Sequence, residues 1–332
     1  MKNSLLNTKV VDFVANPRKI ATVKIESELI HGAIKYLVEN GFTHVVPPHL
    51  TRATGACENI DTMFDMDYFG KKVFLSQTGQ LYLESYIKSL GKVYCMGPSF
   101  RAEPEADDRH LTEFTLIELE FPTAKDESMS ELIAHIEGIV MSMIKQVLKT
   151  CRQELAVVDA DVGKLEQINL PFSRVTYDDA VNLLTGFDVK WGDDLKSKHE
   201  QYLAEHFSSP VFITHYPQEI KFFNMQPTSG NPKIVNSTDL IFPGAGETVG
   251  AACRIWDPKQ LVERLKTSTM MDQLRAKGVN DDVFDWYADV VKAHGMPHAG
   301  FGLGLSRLMK YVTESANINE STAFPMNSEV VY

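Results

Sequence analysis

The chain of 332 residues lacks long apolar runs, clustered cysteines and an excess of positive charge. No apolar stretch approaches the roughly 20 residues that span a bilayer. The opening "MKNSLLNTKVVDF" also lacks the apolar segment of a signal peptide. These absences argue against a membrane protein or a secreted protein, and we expect a cytoplasmic location.

Cysteine is scarce, and its four positions are scattered. Cys57, Cys95, Cys151 and Cys253 form no Cys-x-x-Cys pair. A disulfide framework and a structural zinc site are therefore not expected, and ordinary buried thiols are. Repeats, low-complexity tracts and a linker long enough to mark a domain boundary are also missing.

Basic residues are outnumbered, which gives a net charge of −11 and a pI near 5.4. Because phosphate binding uses basic surface, this balance argues against a protein that coats nucleic acid. A local basic cleft is still compatible with it. The hydrophobic fraction of 44% is ample for a large core.

Helical spacing of apolar residues predicts one helix near the start of the chain and another near its middle. The first covers residues 23–37, and its apolar positions are Val23, Ile30, Ile34 and Leu37. The second covers residues 131–149, with Leu132, Ile136, Ile139, Met143, Ile144 and Val147 on its buried side. Helices and short strands do not alternate as βαβ units, so we expect an α+β fold built on an antiparallel sheet.

A strongly charged stretch, "FRAEPEADDRHLTEFTLIELEF" at residues 100–121, reads as a β-hairpin. Arg101 and Arg109 near one turn provide a guanidinium fork suited to phosphate oxygens. Glu103 offers an acceptor, and Phe114 offers a flat ring for stacking. A solvated, salt-bridged hairpin tip is the alternative interpretation.

A second pattern, "HAGFGLGLSRLMKYV", places glycine at positions 300, 302 and 304. A strand face without side chains can lie against a planar group, and Arg307 follows in the first turn of a predicted helix. This combination favours a nucleotide site. It differs from the dinucleotide fingerprint, because the spacing is G-x-G-x-G.

Two acidic residues, Asp239 and Glu247, lie on either side of "LIFPGAG". Carboxylate oxygens close together suit magnesium that is bound to phosphates. Ordinary surface acids are the alternative for this pair.

Together these stretches resemble the catalytic domain of class II aminoacyl-tRNA synthetases, in particular the aspartyl and asparaginyl branch. "GFTHVVPPHL" is similar to the first class II motif, "FRAEPEADDRHLTEF" to the second and "GFGLGLSRLMKYV" to the third. The resemblance runs over residues 15–325. It implies an antiparallel sheet flanked by helices and a homodimer formed through the first motif.

The resemblance implies a role for each matching residue at an ATP site. Arg101 would hold the α-phosphate and the attacked carboxylate, as a catalytic residue together with Arg307. Glu103 would contact the adenine amine and Phe114 the adenine face. The remaining ATP contacts would come from Arg109 and His110 at the outer phosphates, Arg307 at the γ-phosphate, and Gly302 and Gly304 on the bare strand. Asp239 and Glu247 would bind Mg²⁺.

The resemblance also implies an amino-acid pocket. Glu58 would pair with the α-ammonium, Gln80 belongs to a loop that closes over the substrate, and Arg254 would grip the substrate side chain. Glu84 follows Leu83, which stands where aspartyl enzymes carry a lysine, and so resembles the asparaginyl branch. "RIWD" is closer to the aspartyl branch. His298 would line the pocket.

Several features depart from the family. The pattern begins almost at Met1, so we expect a single catalytic domain over residues 1–332 without an anticodon-binding domain. The loop "PEADD" is acidic, and Ser306, Asn319 and Met326 replace charged residues of the family. These departures argue against tRNA binding and full tRNA charging.

The leading functional hypothesis is therefore an asparagine synthetase. Aspartate would be activated by ATP and Mg²⁺ as an acyl-adenylate, with its β-carboxylate at Arg101 and its α-carboxylate at Arg254, and ammonia would then attack. The alternative is an aminoacyl transferase that loads aspartate, asparagine or an analogue onto a carrier protein, a tRNA or a natural-product intermediate. A third hypothesis is a non-catalytic paralogue that binds nucleotide or amino acid.

Overall fold

The computed structural model describes residues 13–53, 60–124 and 129–331. Its helices are Pro17–Glu39 (α1), Gln80–Glu84 (α2), Ile87–Leu90 (α3), Met129–Thr150 (α4), Arg152–Val157 (α5), Val162–Glu166 (α6), Tyr177–Leu183 (α7), Ser197–Phe207 (α8), Pro258–Thr267 (α9), Thr269–Ala276 (α10), Asp285–His294 (α11) and Leu305–Thr313 (α12). Short 3₁₀ turns cover Ile60–Thr62, Gln218–Ile220, Asp281–Phe284 and Ile318–Glu320.

The strands form one large sheet and two small ones. They are Thr43–His44 (β1), Leu50–Thr51 (β2), Asp65–Tyr68 (β3), Lys71–Leu75 (β4), Val93–Phe100 (β5), Glu113–Pro122 (β6), Ser173–Thr176 (β7), Val211–Thr214 (β8), Pro227–Thr228 (β9), Asn231–Val235 (β10), Ser237–Phe242 (β11), Gly246–Cys253 (β12) and His298–Gly304 (β13). The large sheet has the order β1-β5-β6-β13-β12-β11-β8-β7.

Antiparallel pairing dominates this sheet, and only the two outermost pairs, β1 with β5 and β7 with β8, are parallel. This confirms the α+β fold with an antiparallel sheet flanked by helices. The predicted hairpin is also confirmed, because β5 and β6 pair from Val93 with Glu120 to Phe100 with Glu113. Strand β1, which precedes Pro47, is short and lies at the sheet edge.

Alternation along the central strands assigns one face of the sheet to the core. Ile117, Leu119 and Phe121 of β6 are buried against α1 and α4. Glu118 and Glu120 lie between them in sequence, so they point to the opposite face. That opposite face carries the candidate site.

The two long helices test the periodicity argument differently. The buried side predicted for α4 is confirmed at all six positions. For α1 the helix is confirmed, but two of the four apolar positions named from the spacing, Val23 and Ile34, are exposed. The buried face carries Ala21, Thr22, Ile25, Leu29, Gly32, Ala33 and Leu37. Apolar side chains therefore cover two faces of α1, and spacing alone does not distinguish them.

Two absences apply to the described part of the chain. Cys95, Cys151 and Cys253 are buried there and form no disulfide with one another, while Cys57 lies outside it. None of the helices in the described ranges is both long and apolar enough to cross a membrane.

Candidate active site

A cleft of about 140 Å³ lies on the face of the sheet opposite α1 and α4, and a cavity of about 920 Å³ adjoins it. The cleft is lined by β6, β11, β12, β13, the start of α12 and the hairpin loop between β5 and β6. We call the part around Arg101, Arg109, His110 and Arg307 the open end. The part around Gln80, Glu118, Glu120 and Arg254 is called the buried end, because all four residues are buried.

The hairpin loop positions the first residues of the open end. Arg101 continues from β5, and its backbone N–H donates to the carbonyl of Thr112 at 2.9 Å. Its guanidinium carbon lies 5.4 Å from the ring centroid of Phe114. Glu103 also lines the cleft. The loop therefore brings together three of the residues predicted from sequence.

Arg109 and His110 are fixed by acidic partners. Arg109 Nη2 donates to Glu200 Oε2 at 2.9 Å, and Glu200 belongs to α8. His110 Nδ1 lies 2.6 Å from Asp107 Oδ2, and the same aspartate accepts from the backbone N–H of both Arg109 and His110. This turn holds both side chains at the cleft.

Arg307 enters the open end from the first turn of α12. Its Nη1 donates to the carbonyl of Ala245 at 3.1 Å. Burial lowers the pKa of Arg307, and the charge of Arg109 lowers it further, while Glu200 and Glu247 act in the opposite direction. The open end therefore brings positive charges close together, and a bound anion would reduce their mutual repulsion.

The positions that depart from the family lie behind the hairpin loop. Asn319 Nδ2 donates to the carbonyl of Asp107 at 3.3 Å, and Lys310 Nζ donates to the carbonyl of Asp108 at 3.1 Å. The carbonyl of Met326 accepts from the Thr112 N–H at 2.8 Å, and Ser306 is buried. Asn319, Lys310 and Met326 thus fasten the loop through its backbone or their own, whereas Ser306 lines the cleft.

The two predicted metal ligands line the same cleft from adjacent strands. Asp239 pairs with Gly250 and Ile241 pairs with Glu247, so both carboxylates belong to one face of the sheet. Lys221 Nζ lies 2.6 Å from Asp239 Oδ2 and 4.0 Å from the Tyr216 ring centroid. The donor set of two carboxylates fits Mg²⁺. Lys221 supplies a positive charge at the same place.

The alternating glycines serve different purposes. Gly302 and Gly304, two of the residues predicted to bind ATP, line the cleft. At Gly300 the carboxylate of Glu120 fills the space, because an added Cβ would lie 2.0 Å from Glu120 Cδ. The bare face at Gly300 thus accommodates a carboxylate, whereas the sequence suggested that this strand face can lie against a planar group.

At the buried end, Arg254 is already paired with a protein carboxylate. Its Nη2 and Nε donate to Glu120 Oε1 at 2.7 and 3.2 Å. Glu84 Oε1 is 3.9 Å from the Arg254 Nε. Glu120 Oε2 has no hydrogen-bond partner among the residues that the structure describes.

Glu84 and His298 lie behind Arg254. Glu84 accepts from Gln80 Nε2 at 2.7 Å and from the Tyr287 hydroxyl at 2.5 Å. His298 Nε2 lies 3.0 Å from Glu84 Oε2, while His298 Nδ1 donates to the carbonyl of Met296 at 2.7 Å. Glu84, Glu120 and His298 could together hold a metal ion. Arg254 already compensates their negative charge, which makes a metal unnecessary there.

Burial and pairing shift the pKa values of this cluster in opposite directions. Burial raises the pKa of Glu120 to about 7, although Arg254 opposes the shift. Burial would also raise the pKa of Glu84, but the hydrogen bond and charge of His298, with the charge of Arg254, bring it below its ordinary value. The pKa of His298 is raised, because Glu84 and Glu120 outweigh its burial.

Sequence reasoning missed four side chains at the site, namely Glu118, Glu120, Glu200 and Lys221. The first two alternate with core residues on β6, and that alternation was the available signal. Glu118 accepts from the Thr78 hydroxyl and from the Gly79 N–H at 2.8 Å. Glu200 and Lys221 arrive from distant segments without a local pattern. The predicted residue Glu58 lies outside the described residues.

Comparison with known families gives one match over nearly the whole chain. Residues 1–328 match the family described as tRNA synthetases class II (D, K and N). An asparagine–tRNA ligase from Pelotomaculum thermopropionicum is 38% identical over 94% of this chain and 70% of its own length. One from Desulforamulus reducens is 38% identical over 96% of this chain and 72% of its own length.

Solved structures with the same fold include members of the same group. The asparaginyl-tRNA synthetase of Pyrococcus horikoshii, complexed with asparaginyl-adenylate, has a TM-score of 0.87 and 35% identity, and the match covers 96% of this chain and 71% of that one. The Entamoeba histolytica enzyme, also with asparaginyl-adenylate, has a TM-score of 0.82 and 30% identity over 99% of this chain and 72% of that one.

Proposed function

The chain belongs to the class II tRNA synthetases of the D, K and N group and is an ATP-dependent ligase, and we propose that it forms an aminoacyl-adenylate from asparagine. In this reaction a carboxylate oxygen of the amino acid attacks the α-phosphorus of ATP. The bond from that phosphorus to the bridging oxygen of the β-phosphate breaks, and pyrophosphate leaves with the electron pair.

The open end supports the nucleotide part of this proposal. Arg101 would contact the α-phosphate and the attacking carboxylate, while Arg109, His110 and Arg307 would contact the outer phosphates. Phe114 and Glu103 would take the adenine ring and its amine, and Gly302 and Gly304 leave room for the nucleotide. The protein contributes positioning and charge neutralisation, which dominate catalysis of this kind.

Asp239 and Glu247 are the residues that would hold Mg²⁺ in this proposal. When bound, the ion would neutralise phosphate charge as pyrophosphate develops. Lys221 would add positive charge at the same place, where its ammonium is paired with Asp239. ATP and Mg²⁺ therefore remain the proposed cofactors.

The buried end favours asparagine over aspartate, and the observation that carries this is the Arg254–Glu120 pair. A carboxamide offers both a donor and an acceptor, so it matches a guanidinium and a carboxylate side by side. Glu120 Oε2, without a partner among the described residues, is a ready acceptor for the amide NH₂. A substrate carboxylate has only acceptors and would meet the charge of Glu120.

The same pairing argues against the amidation hypothesis. Aspartate in the reversed pose needs Arg254 to receive its α-carboxylate, and that arginine is engaged by Glu120 with Glu84 nearby. The relatives, named asparagine–tRNA ligases, give no support to ammonia as the acceptor. They do not support the expected absence of tRNA binding either, and we propose tRNA as the acceptor.

A homodimer is part of the proposal. Ile20, Val23, Ile34 and Val38 of α1 are 44%, 45%, 37% and 65% exposed. These apolar side chains lie on α1, which directly precedes the first class II motif, so a second copy that packs there would remove them from water. The single-domain organisation and the cytoplasmic location remain predictions.

The decisive experiment is ATP–pyrophosphate exchange with Mg²⁺, run separately with asparagine and aspartate. Exchange with asparagine at least about tenfold faster supports the proposal, since a tenfold preference corresponds to about 1.4 kcal/mol. Exchange with aspartate alone, followed by ATP-dependent asparagine formation on adding ammonia, would restore the amidation hypothesis. Transfer of labelled asparagine to total tRNA tests the acceptor.

A further inference from the structure

Glu200 brings a carboxylate from a distant helix into the open end of the cleft. It lies in the first turn of α8, which comes long after β6 in the chain and before β11, β12 and β13. Its Oε2 accepts from Arg109 Nη2 at 2.9 Å and from the backbone N–H of Glu247 at 3.3 Å. The Glu200 and Arg109 side chains are only 11% and 20% exposed. The pair is therefore shielded enough from water to matter energetically.

The position of Gly246 shows how closely the charges converge. A Cβ added there would lie 2.6 Å from Arg109 Nη2, 2.9 Å from Glu200 Oε2 and 3.0 Å from Arg307 Nη1. Two guanidinium groups thus reach the same point from the hairpin loop and from α12. One carboxylate oxygen lies with them, and Gly246 has a φ of +76°, a conformation that favours glycine.

Two adjacent guanidinium groups repel each other unless an anion lies between or beside them. In ATP-bound enzyme the terminal phosphate would supply that anion under the proposed function. Without nucleotide, Glu200 supplies it. Carboxylate and phosphate oxygens accept the same charge-assisted hydrogen bonds from arginine, so one can replace the other at this place.

We infer that Glu200 is a positioning residue that stands in for the terminal phosphate and keeps Arg109 and Arg307 in their phosphate-binding arrangement before ATP arrives. This inference rests on the proposed function. Arg109 lies on the loop between β5 and β6, so losing its partner would allow it to turn towards solvent. ATP would then have to reorder the loop as it binds.

The test compares Glu200→Gln with the wild-type protein by calorimetric titration. Three probes are used: a non-hydrolysable magnesium ATP analogue, magnesium pyrophosphate and AMP. The substitution keeps the size of the side chain and removes its charge. We expect the Kd of the ATP analogue and of pyrophosphate each to rise about tenfold, the effect of about 1.4 kcal/mol. The Kd of AMP, which lacks the outer phosphates, should change less than about twofold.

Glu205→Gln is the matched control, because Glu205 lies on the same helix but is exposed and accepts from Gln201 at 2.9 Å. It should leave all three Kd values unchanged. A second control combines Glu200→Gln with Arg109→Gln. If Glu200 acts through Arg109, adding the glutamate substitution to Arg109→Gln should weaken binding of the ATP analogue less than about twofold further.

Three results would overturn the inference. An unchanged Kd for the ATP analogue would show that Glu200 does not organise the arginines. A lower Kd would show that Glu200 only competes with phosphate. Equal weakening of AMP binding would indicate general damage to the site. Because binding is measured without turnover, these outcomes are separate from a failure of asparagine activation.

Discussion

Arg307 and Arg254 lie at opposite ends of the same cleft, and their pKa values shift in opposite directions. At the open end, burial and the neighbouring Arg109 lower the pKa of Arg307. At the buried end, burial also acts to lower the pKa of Arg254, but the charges of Glu120 and Glu84 outweigh it and raise the pKa. Neighbouring carboxylates do not fully compensate the charge of Arg307, whereas they do compensate the charge of Arg254.

This difference separates two ways of binding an anionic or polar ligand. The open end is arranged to gain from an incoming phosphate, since the protein leaves like charges close together there. The buried end balances its own charges and offers a ligand an exchange of hydrogen bonds. Under the proposed function, affinity for ATP would come from charge, and choice of amino acid would come from matching donors to acceptors.

The largest expected effect is the loss of stability on Arg254→Met. The substitution keeps most of the apolar stem but leaves Glu120 buried without its positive partner, and it leaves Glu84 with His298 alone. Removing one member of a buried ion pair typically costs about 3–5 kcal/mol. Urea denaturation followed by circular dichroism should show a decrease of that size in the free energy of unfolding. A decrease below about 1 kcal/mol would mean that the buried end is not charge-balanced as described.

Arg307→Met sharpens the comparison, because the same change at the open end removes a charge that is not fully compensated. The free energy of unfolding should change by less than about 1 kcal/mol. ATP–pyrophosphate exchange should nevertheless fall about 100-fold or more, as when a group that stabilises developing charge is removed. A large loss of stability with modest loss of exchange would reverse the roles of the two arginines.

The smallest expected effect is a pH dependence at the buried end. Burial raises the pKa of Glu120 to about 7, and Arg254, Glu84 and His298 are the charged groups that face it. Raising the pH through about 7 removes the proton from Glu120 and makes both oxygens acceptors. The kcat/KM for asparagine in the exchange assay should therefore rise severalfold between about pH 6 and pH 8.

Glu120→Gln is the control for this profile, because glutamine has no proton to lose in that range. The rise attributable to Glu120 should disappear, and the preference for asparagine over aspartate should shrink. An identical pH profile in the variant would assign the titration to another group, and an unchanged preference would remove Glu120 from amino-acid selection.

Much of this arrangement could be predicted from the sequence, because it rests on local patterns. The charged hairpin contains its own turn, so Arg101, Arg109, His110 and Phe114 could be placed together from residues 100–121 alone. The glycine strand followed by Arg307 is local in the same way. Each of these groups is contained in one short, continuous segment of the sequence.

Residues that reach the site from distant segments could not be placed this way. Glu200 and Lys221 come from α8 and from the turn after β8, and their spacing carries no signal for a phosphate site. The partner of Arg254 was also missed. The sequence suggested a substrate partner for this arginine, whereas Glu120 pairs with it from β6, across β13. Cross-sheet contacts of this kind depend on strand order, which local patterns do not specify.

Because of Gly300, residues on two neighbouring strands, β6 and β13, are expected to change together in evolution. Its missing side chain is the space in which the Glu120 carboxylate lies, so even an alanine at position 300 would collide with that carboxylate. A lineage that acquired a side chain at position 300 would first need a shorter residue at position 120, and with it a different partner for Arg254. Replacement at the three positions is thus expected to proceed jointly, and homologues with another amino-acid preference should differ at several of them together.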